Sequence, residues 1–193
     1  MSEASPNTTP CWRIVHSECS IGWGGQEHRV LAELVGFQRR GSRGWLLAPT
    51  TAQLTPRARA AGIVVAPLSV VKWQYPFTVL RLARWLNSIQ AQVVNTHSSR
   101  DGWVVGLAAR LARVPLLIRS RHIDVDYPHR WISRHAFTTL ADQVLSTSDK
   151  ITNHLCTRFA LSTEHVTTVP TGIDLRYFHP GVIPAVLPGP AAE

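Results

Sequence analysis

Four stretches of the chain carry residue types that could do chemistry. The first is Gly22-Trp23-Gly24-Gly25-Gln26-Glu27-His28-Arg29-Val30, a glycine turn that opens an amphipathic run. Glycines let the backbone approach a ligand with no Cβ in the way, and the free N–H groups of a first helical turn point at whatever lies there. Gly24 and Gly25 therefore suit a diphosphate or a sugar hydroxyl. Taken alone, the turn reads more simply as a tight strand-to-helix connection. The other three stretches are Thr96-His97-Ser98-Ser99-Arg100-Asp101-Gly102, Arg119-Ser120-Arg121-His122-Ile123 and Ser146-Thr147-Ser148-Asp149. Asp124-Val125-Asp126 also pairs two carboxylates, which beside a diphosphate would hold Mg²⁺ or Mn²⁺, but such tripeptides are common by chance. His129 and His135 have no cysteine or carboxylate at ligand spacing, so no metal site is expected there.

The elements that must position these stretches follow from apolar periodicity. Arg13 to His16 reads as a first strand. A helix runs from Gly25 to Arg40, with Val30, Leu31, Leu34, Val35 and Phe37 on one face, Glu27 in the first turn, Arg39 and Arg40 in the last, and Gly41 as its stop. Trp45 to Ala48 is a strand, Ala52 to Ala61 a short helix and Ile63 to Val65 a third strand. After a loop from Val70 to Gln74, Tyr75-Pro76 starts a helix whose Val79, Leu82, Ala83, Leu86 and Ile89 repeat at helical spacing. Arg81 and Arg84 fall toward its other face and read as solvated charge in preference to a phospholipid-facing patch. Val93 to Asn95 is a strand, and Ser99 is the expected cap of the next helix, which carries Val104, Val105, Leu107, Ala108 and Leu111. Pro115 to Ile118 is a strand, Arg130 to Leu140 a helix, Gln143 to Leu145 a strand, Lys150 to Phe159 a helix and Val166 to Val169 a last strand. Strand and helix alternate, which defines an α/β chain with a Rossmann-like parallel sheet and helices on both faces. Ligands of such sheets bind at the carboxyl ends of the strands, where strand order reverses. All four chemistry-bearing stretches fall at strand exits, so they converge.

The length of 193 residues allows one domain of ordinary size. The expected division is a leader over 1–11, the domain over 12–180, and a Pro/Ala-rich tail or linker stub over 181–193. A hydrophobic fraction of 45% and a charged fraction of 17% are those of a folded protein. The formal charge of +8 favours an anionic partner, but no basic run or aromatic-studded signature points to nucleic acid. Cys11, Cys19 and Cys156 form no CxxC pair, which argues for a reducing compartment, the cytosol by default. The first ten residues lack the apolar core of a signal peptide, and no stretch of about 18 apolar residues could span a membrane. Membrane contact is expected to be at most peripheral.

At this point the residues resemble the amino-terminal, acceptor-side domain of the family 4 glycosyltransferases, enzymes of the two-domain GT-B fold. Gly24-Gly25-Gln26-Glu27 resembles that family's Gly-Gly-x-Glu turn, and Asn95-Thr96-His97 its strand exit before the fourth helix. Arg119-Ser120-Arg121-His122 is similar to the exit that bears an active-site histidine. Ser146-Thr147-Ser148-Asp149 resembles a Ser-Glu-Ala-like turn, and Val169-Pro170-Thr171-Gly172-Ile173-Asp174 with Phe178 the signature closing the domain. The resemblance covers residues 12–180 and implies one half of a GT-B fold.

The resemblance implies retaining transfer of a sugar from a nucleotide diphosphate to an acceptor hydroxyl, the acceptor being a sugar or a lipid-linked sugar. Charge then grows on the leaving diphosphate, and donors around Gly24 and Gly25 would stabilise it. It further implies that His122 lies by the transferred sugar as the catalytic residue, with Thr96, His97, Arg121 and Ser148 as further substrate-binding candidates. Strand alternation is expected to send one of Arg119 and Arg121 into the cleft and leave the other to pair with a carboxylate. The GT-B pattern uses no metal cofactor, so Asp124 and Asp126 are discounted as ligands. The family's nucleotide-binding carboxyl-terminal domain has no counterpart in these residues. The expectation is therefore a truncated or split enzyme, inactive alone, in the cytoplasm or peripheral at the inner membrane face, with a separately encoded donor domain as partner. A non-catalytic module for glycans or lipid-linked sugars is the alternative. A dinucleotide enzyme is weaker, because Gly22-Trp23-Gly24-Gly25-Gln26-Glu27 fails the last glycine of Gly-x-Gly-x-x-Gly.

Overall fold

The computed structural model describes residues 11–124, 130–176 and 178–181, apart from the side chains of Lys72 and Arg130. Residues 1–10 of the expected leader, nearly all of the expected tail, and Asp126 and His129 lie outside these residues. Among the described residues, seven strands form one parallel sheet: β1 (Arg13–Ser17), β2 (Arg43–Ala48), β3 (Val64–Pro67), β4 (Val93–Thr96), β5 (Leu116–Arg121), β6 (Gln143–Ser146) and β7 (Val166–Thr168). The spatial order is β3-β2-β1-β4-β5-β6-β7, so the direction of winding reverses between β1 and β4. The described α-helices that connect them are α1 (Gly25–Arg39), α2 (Leu54–Ala60), α3 (Tyr75–Ser88), α4 (Ser99–Leu111), α5 (Arg130–His135) and α6 (Asp149–Phe159). No described helix is long and apolar enough to cross a membrane.

Right-handed crossovers put α1 and α2 on one face and the later helices on the other. The side chains of β2 show the division. Leu46 and Ala48 pack with Val30, Leu34, Leu54 and Ala58 from α1 and α2, whereas Leu47 joins Leu82, Leu86, Val94, Val104 and Leu117 on the opposite face. A third cluster, around Phe137, Val144, Leu155 and Phe159, extends that face under β6 and β7. Each fully buried aliphatic side chain of this kind contributes about 1.5–3 kcal/mol. Strands covered on both faces read as unbroken apolar runs, and Leu46-Leu47-Ala48 is fully buried for this reason. The outer strands differ: on β5 Leu117 is buried but its neighbour Leu116 is 36% exposed. Beyond α1, no described helix covers this face of β4 to β6. A groove of about 660 Å³ runs there, lined by Ile14, Phe37, Val93, Leu116, Ile118 and Leu145.

Element order agrees with the periodicity, and the differences have local causes. A 3₁₀ turn, Lys72–Gln74, precedes α3 where a loop is expected. The expected helix from Arg130 to Leu140 changes to a π-helical turn over Ala136–Leu140. The wider turn lets Phe137 point into the third cluster and Leu140 into the α4 cluster. Ser98, not Ser99, is the N-cap of α4, with Asp101 at its third position. Gly41 follows α1 at φ 82°, the left-handed stop that its position predicts.

Candidate functional site

The exits of β1, β4, β5 and β6 meet at the carboxyl edge of the sheet. His16 at the end of β1, His97 after β4 and His122 after β5 form a hydrogen-bonded stack. His16 Nδ1 lies 2.8 Å from His97 Nε2, and His97 Nδ1 lies 2.8 Å from His122 Nε2. The rings are stacked at centroid distances of 5.0 and 5.1 Å. Each N···N contact holds one proton, so the three rings form a directional chain: the tautomer of one sets those of the others. Burial is the main reason all three stay neutral. It lowers His16 to about 3, helped by its neighbours His122 and Arg29, next to which a second positive charge is disfavoured, and lowers His122 to about 4, helped by Arg29. The buried His97 is also held well below the ordinary imidazole value, first by burial and then by its two histidine neighbours.

The buried end of this chain meets Arg29 and Glu33 of α1. Arg29 Nε donates to Glu33 Oε1 at 2.7 Å, and Glu33 Oε2 lies 3.7 Å from His16 Nδ1. Arg29 also donates through Nη1 to the Val169 carbonyl at 2.8 Å and to Thr171 Oγ1 at 3.2 Å, tying the segment after β7 to α1. Ligand atoms of His16, His97 and Glu33 lie within 4.8 Å of one another, the donor types that zinc takes. Here both imidazole nitrogens already share a proton and Glu33 already pairs with Arg29, so the set closes the histidine chain.

Beside the histidines lie two buried carboxyl groups. Glu18 accepts from the Ser20 N–H at 2.8 Å and from the Ser98 hydroxyl and the Gln26 amide. Asp101 accepts from the Ser17 hydroxyl, from the Ser98 N–H at 2.9 Å and from the His97 N–H at 3.2 Å. Burial raises Glu18 against these hydrogen bonds. Burial and then the Glu18 charge raise Asp101 to about 7. Ser98 thus joins both carboxyl groups and also caps α4. A cavity of about 910 Å³ opens beside it, lined by Ser20, Ile21, Ser69, Arg81, Ser99 and Arg100 among others.

The structure treats the expected site residues differently. The Gly24 N–H is not free: it donates to Glu27 Oε2 at 2.7 Å, so the helix start already holds a carboxylate where an anion cradle is expected. A Cβ on Gly25 would meet nothing within 4 Å, so this glycine answers no packing demand. His97 and His122 are brought together, and the Gln26 amide reaches Ser98 at 3.3 Å, which joins the glycine turn to the β4 exit. Thr96 is buried with its hydroxyl 3.4 Å from the Ile118 carbonyl, inside the sheet. Ser148 caps α6, accepting from the Ile151 N–H, while its neighbour Thr147 donates to the His122 carbonyl at 3.3 Å.

Arg119 and Arg121 do not divide between two faces, because residues two apart on a strand share one. Arg119 is buried, its guanidinium 4.7 Å from the Phe137 ring centroid, and its charge acts on Asp101. Arg121 sits farther along the same side, with Asp124 and His154 around a small cavity at α6. Asp124 is occupied by Lys150 at 3.1 Å and by His154, as structural pairing requires. His16, Glu18 and Asp101 were not expected at the site. Ser98-x-x-Asp101 is a capping-box spacing that could have revealed Asp101, whereas His16 reads only as the end of a strand and Glu18 falls in the stretch after it with no signal of its own.

A seven-stranded parallel sheet with helices on both faces and a polar cluster at its carboxyl edge is a Rossmann-like α/β domain, the type from which GT-B glycosyltransferases are built. Residues 23–177 match the model of Glycosyltransferase Family 4. The chain belongs to that family. No curated protein matches the sequence. Among solved structures, the chain is similar to a glycosyltransferase from Rickettsia africae, with a TM-score of 0.79 and 14% identity over 92% of this chain and 47% of that one. HepE from Anabaena, solved in complex with UDP and glucose, gives a TM-score of 0.64 and 14% identity over 88% of this chain and 47% of its own. MurG from Acinetobacter baumannii gives 0.61 and 17% over 84% and 46%. The chain therefore spans about half the length of these structures.

Proposed function

We propose that this domain forms the acceptor side of a cleft in which a sugar passes from a nucleotide diphosphate to an acceptor hydroxyl with retention of configuration. The observation that carries the reading is the convergence of four strand exits on the His16–His97–His122 chain and the Glu18–Ser98–Asp101 cluster. His122, kept neutral, spends Nε2 on His97 and leaves Nδ1 for a sugar hydroxyl. Arg121, farther out on the same strand exit, supplies positive charge for a phosphate. The Gly24 N–H being taken, the remaining N–H groups of the first turn of α1, beginning at Gly25, face the donor. Ser98, Ser99 and Arg81, which line the 910 Å³ cavity, offer polar groups to acceptor hydroxyls, while the buried Glu18 holds the Ser98 hydroxyl in place.

Transfer requires a second, nucleotide-binding domain to close on this one, so the chain alone should turn over slowly or not at all. The test supplies such a domain in trans, with a panel of nucleotide sugars and with sugar and lipid-linked acceptors. Nucleoside diphosphate release is followed, and the anomeric configuration of the product is read by NMR. His122→Ala should reduce release by about 100-fold or more, the usual weight of a group acting on the reacting centre. Acceptor binding without any transfer would replace this reading with that of a binding module, and robust turnover by the chain alone would refute the need for the second domain.

A further inference from the structure

We propose that Glu33 and His16 are positioning residues: they fix the direction of the imidazole chain so that His122 carries its proton on Nδ1, the nitrogen left for the substrate. Two orders of the chain satisfy both N···N contacts, each 2.8 Å long. In the first, His16 Nδ1–H donates to His97 Nε2, His97 Nδ1–H donates to His122 Nε2, and the proton of His122 stays on Nδ1. In the second, every donor becomes an acceptor and His122 offers a bare Nδ1. The two orders present opposite chemistry at the cleft, a hydrogen-bond donor or an acceptor, and the buried end of the chain decides between them.

That end holds Glu33. Its Oε1 accepts from Arg29 Nε at 2.7 Å, and its Oε2 lies 3.7 Å from His16 Nδ1, the same atom that meets His97. A carboxylate oxygen at this distance attracts an N–H and repels a lone pair. His16 is 1% exposed, so solvent screens the difference little. Arg29 does not oppose the choice: it spends Nε on Glu33 and Nη1 on the Val169 carbonyl and the Thr171 hydroxyl, and among the described residues it donates to none of the rings. The first order is therefore the stable one. Hydrogen bonds in a chain polarise one another, so the choice made at Glu33 reaches His122 through His16 and His97. The atom that faces His122 Nδ1 must then be an acceptor oxygen, a hydroxyl lone pair or a phosphate oxygen, and Nδ1 cannot take a proton from an acceptor hydroxyl. This constraint on the substrate rests on the sugar-transfer reading, whereas the direction of the chain does not.

Long-range proton–nitrogen NMR spectra of the full chain, with its histidines labelled in nitrogen-15, tell a protonated ring nitrogen from a bare one. His122→Ala removes one set of signals and so assigns that ring. In the wild-type chain His122 should be protonated on Nδ1 and bare on Nε2. Glu33→Gln keeps the Arg29 contact through its carbonyl and turns an amide N–H toward His16 Nδ1, so the order should reverse and the proton of His122 should move to Nε2. His16→Leu cuts the other two rings off from Glu33 and should leave His122 as a mixture of both tautomers. Gly102→Ala strains the packing beside Arg119 and leaves the chain alone; it should keep the wild-type pattern, which separates direction from stability. With a donor domain supplied in trans, Glu33→Gln should lower kcat about 10-fold, the weight of one misdirected hydrogen bond to a charged oxygen, with little change in KM. The proposal is overturned if wild-type His122 carries its proton on Nε2, or if Glu33→Gln leaves that proton on Nδ1. Reversal of the tautomer with kcat unchanged upholds the direction of the chain and refutes instead the contact of His122 with the substrate.

Discussion

Lowering the pH from 7 to 5 should destabilise this domain by about 2 kcal/mol, through its buried histidines. His16 titrates at about 3 in the fold and His122 at about 4, whereas both take up a proton near 6.5 once unfolded. The stabilisation from keeping them neutral is complete above 6.5 and falls as pH drops below it, by about 1.4 kcal/mol per unit for each ring. At pH 5 the two together cost about 4 kcal/mol on that basis. Asp101 works the other way. Its folded value of about 7 lies above the unfolded one, so its contribution is most favourable at low pH and is lost as pH rises through 7; acidification to pH 5 returns about 2 kcal/mol. Glu18, also raised by burial, pulls in the same direction as Asp101, and His97, held well below its ordinary value, adds to the loss. A net fall of about 2 kcal/mol is large against a typical total of about 5–15 kcal/mol. Urea titrations at pH 7 and pH 5 measure it directly. Asp101→Asn removes the opposing group and should steepen the fall by about 2 kcal/mol. A domain equally or more stable at pH 5 would refute the buried, neutral histidine chain.

Gly102→Ala should lower stability by about 1–3 kcal/mol, since the new Cβ would lie 2.2 Å from Arg119 Nη1 and 2.8 Å from Arg119 Cζ; thermal melts give the value. Gly25→Val should leave the melting temperature nearly unchanged, because the added atoms enter open space, yet abolish transfer in the assay with a donor domain; if transfer survives, the turn is only a connection. Arg29→Met should cost about 3–5 kcal/mol by stranding Glu33 without its partner, and should release the Val169–Thr171 tether, which limited proteolysis near residue 170 would detect as faster cleavage.

Much of the architecture is legible from local chemistry. Alternation of β-branched runs with helical periodicity predicts each strand and helix, because Leu46-Leu47-Ala48 or Val30 with Leu34 need only their own neighbours to declare themselves. The polar exits are legible for the same reason: Thr96-His97-Ser98 and Arg121-His122 interrupt apolar runs. What the exits do together is not. His16 looks like the last residue of a strand until β1 is known to pair with β4, which sets His16 opposite Asn95 and brings its ring to His97. Glu18 looks like a surface residue until Ser20, Gln26 and Ser98 close around it from three separate segments. The glycine turn misleads in the other sense, because Glu27 takes the very N–H that an anion would need. Parity along β5, which puts Arg119 and Arg121 on one side, is in the sequence; which of the two is enclosed depends on how the turn over Ala136–Leu140 packs Phe137 against Arg119.

The pairing of β1 with β4 has a consequence for how the domain acquires its site. The contact between His16 and His97 spans 81 residues, and the one between His97 and His122 cannot form until β5 has joined β4. Parallel pairings of such long range close their loops at high entropic cost and form slowly. The imidazole stack is therefore assembled only once the centre of the sheet is complete. The proton shared by the buried His16 and His97 should exchange with solvent far more slowly than those of half-buried His122, which makes that inner contact a marker of the intact β1–β4 pairing.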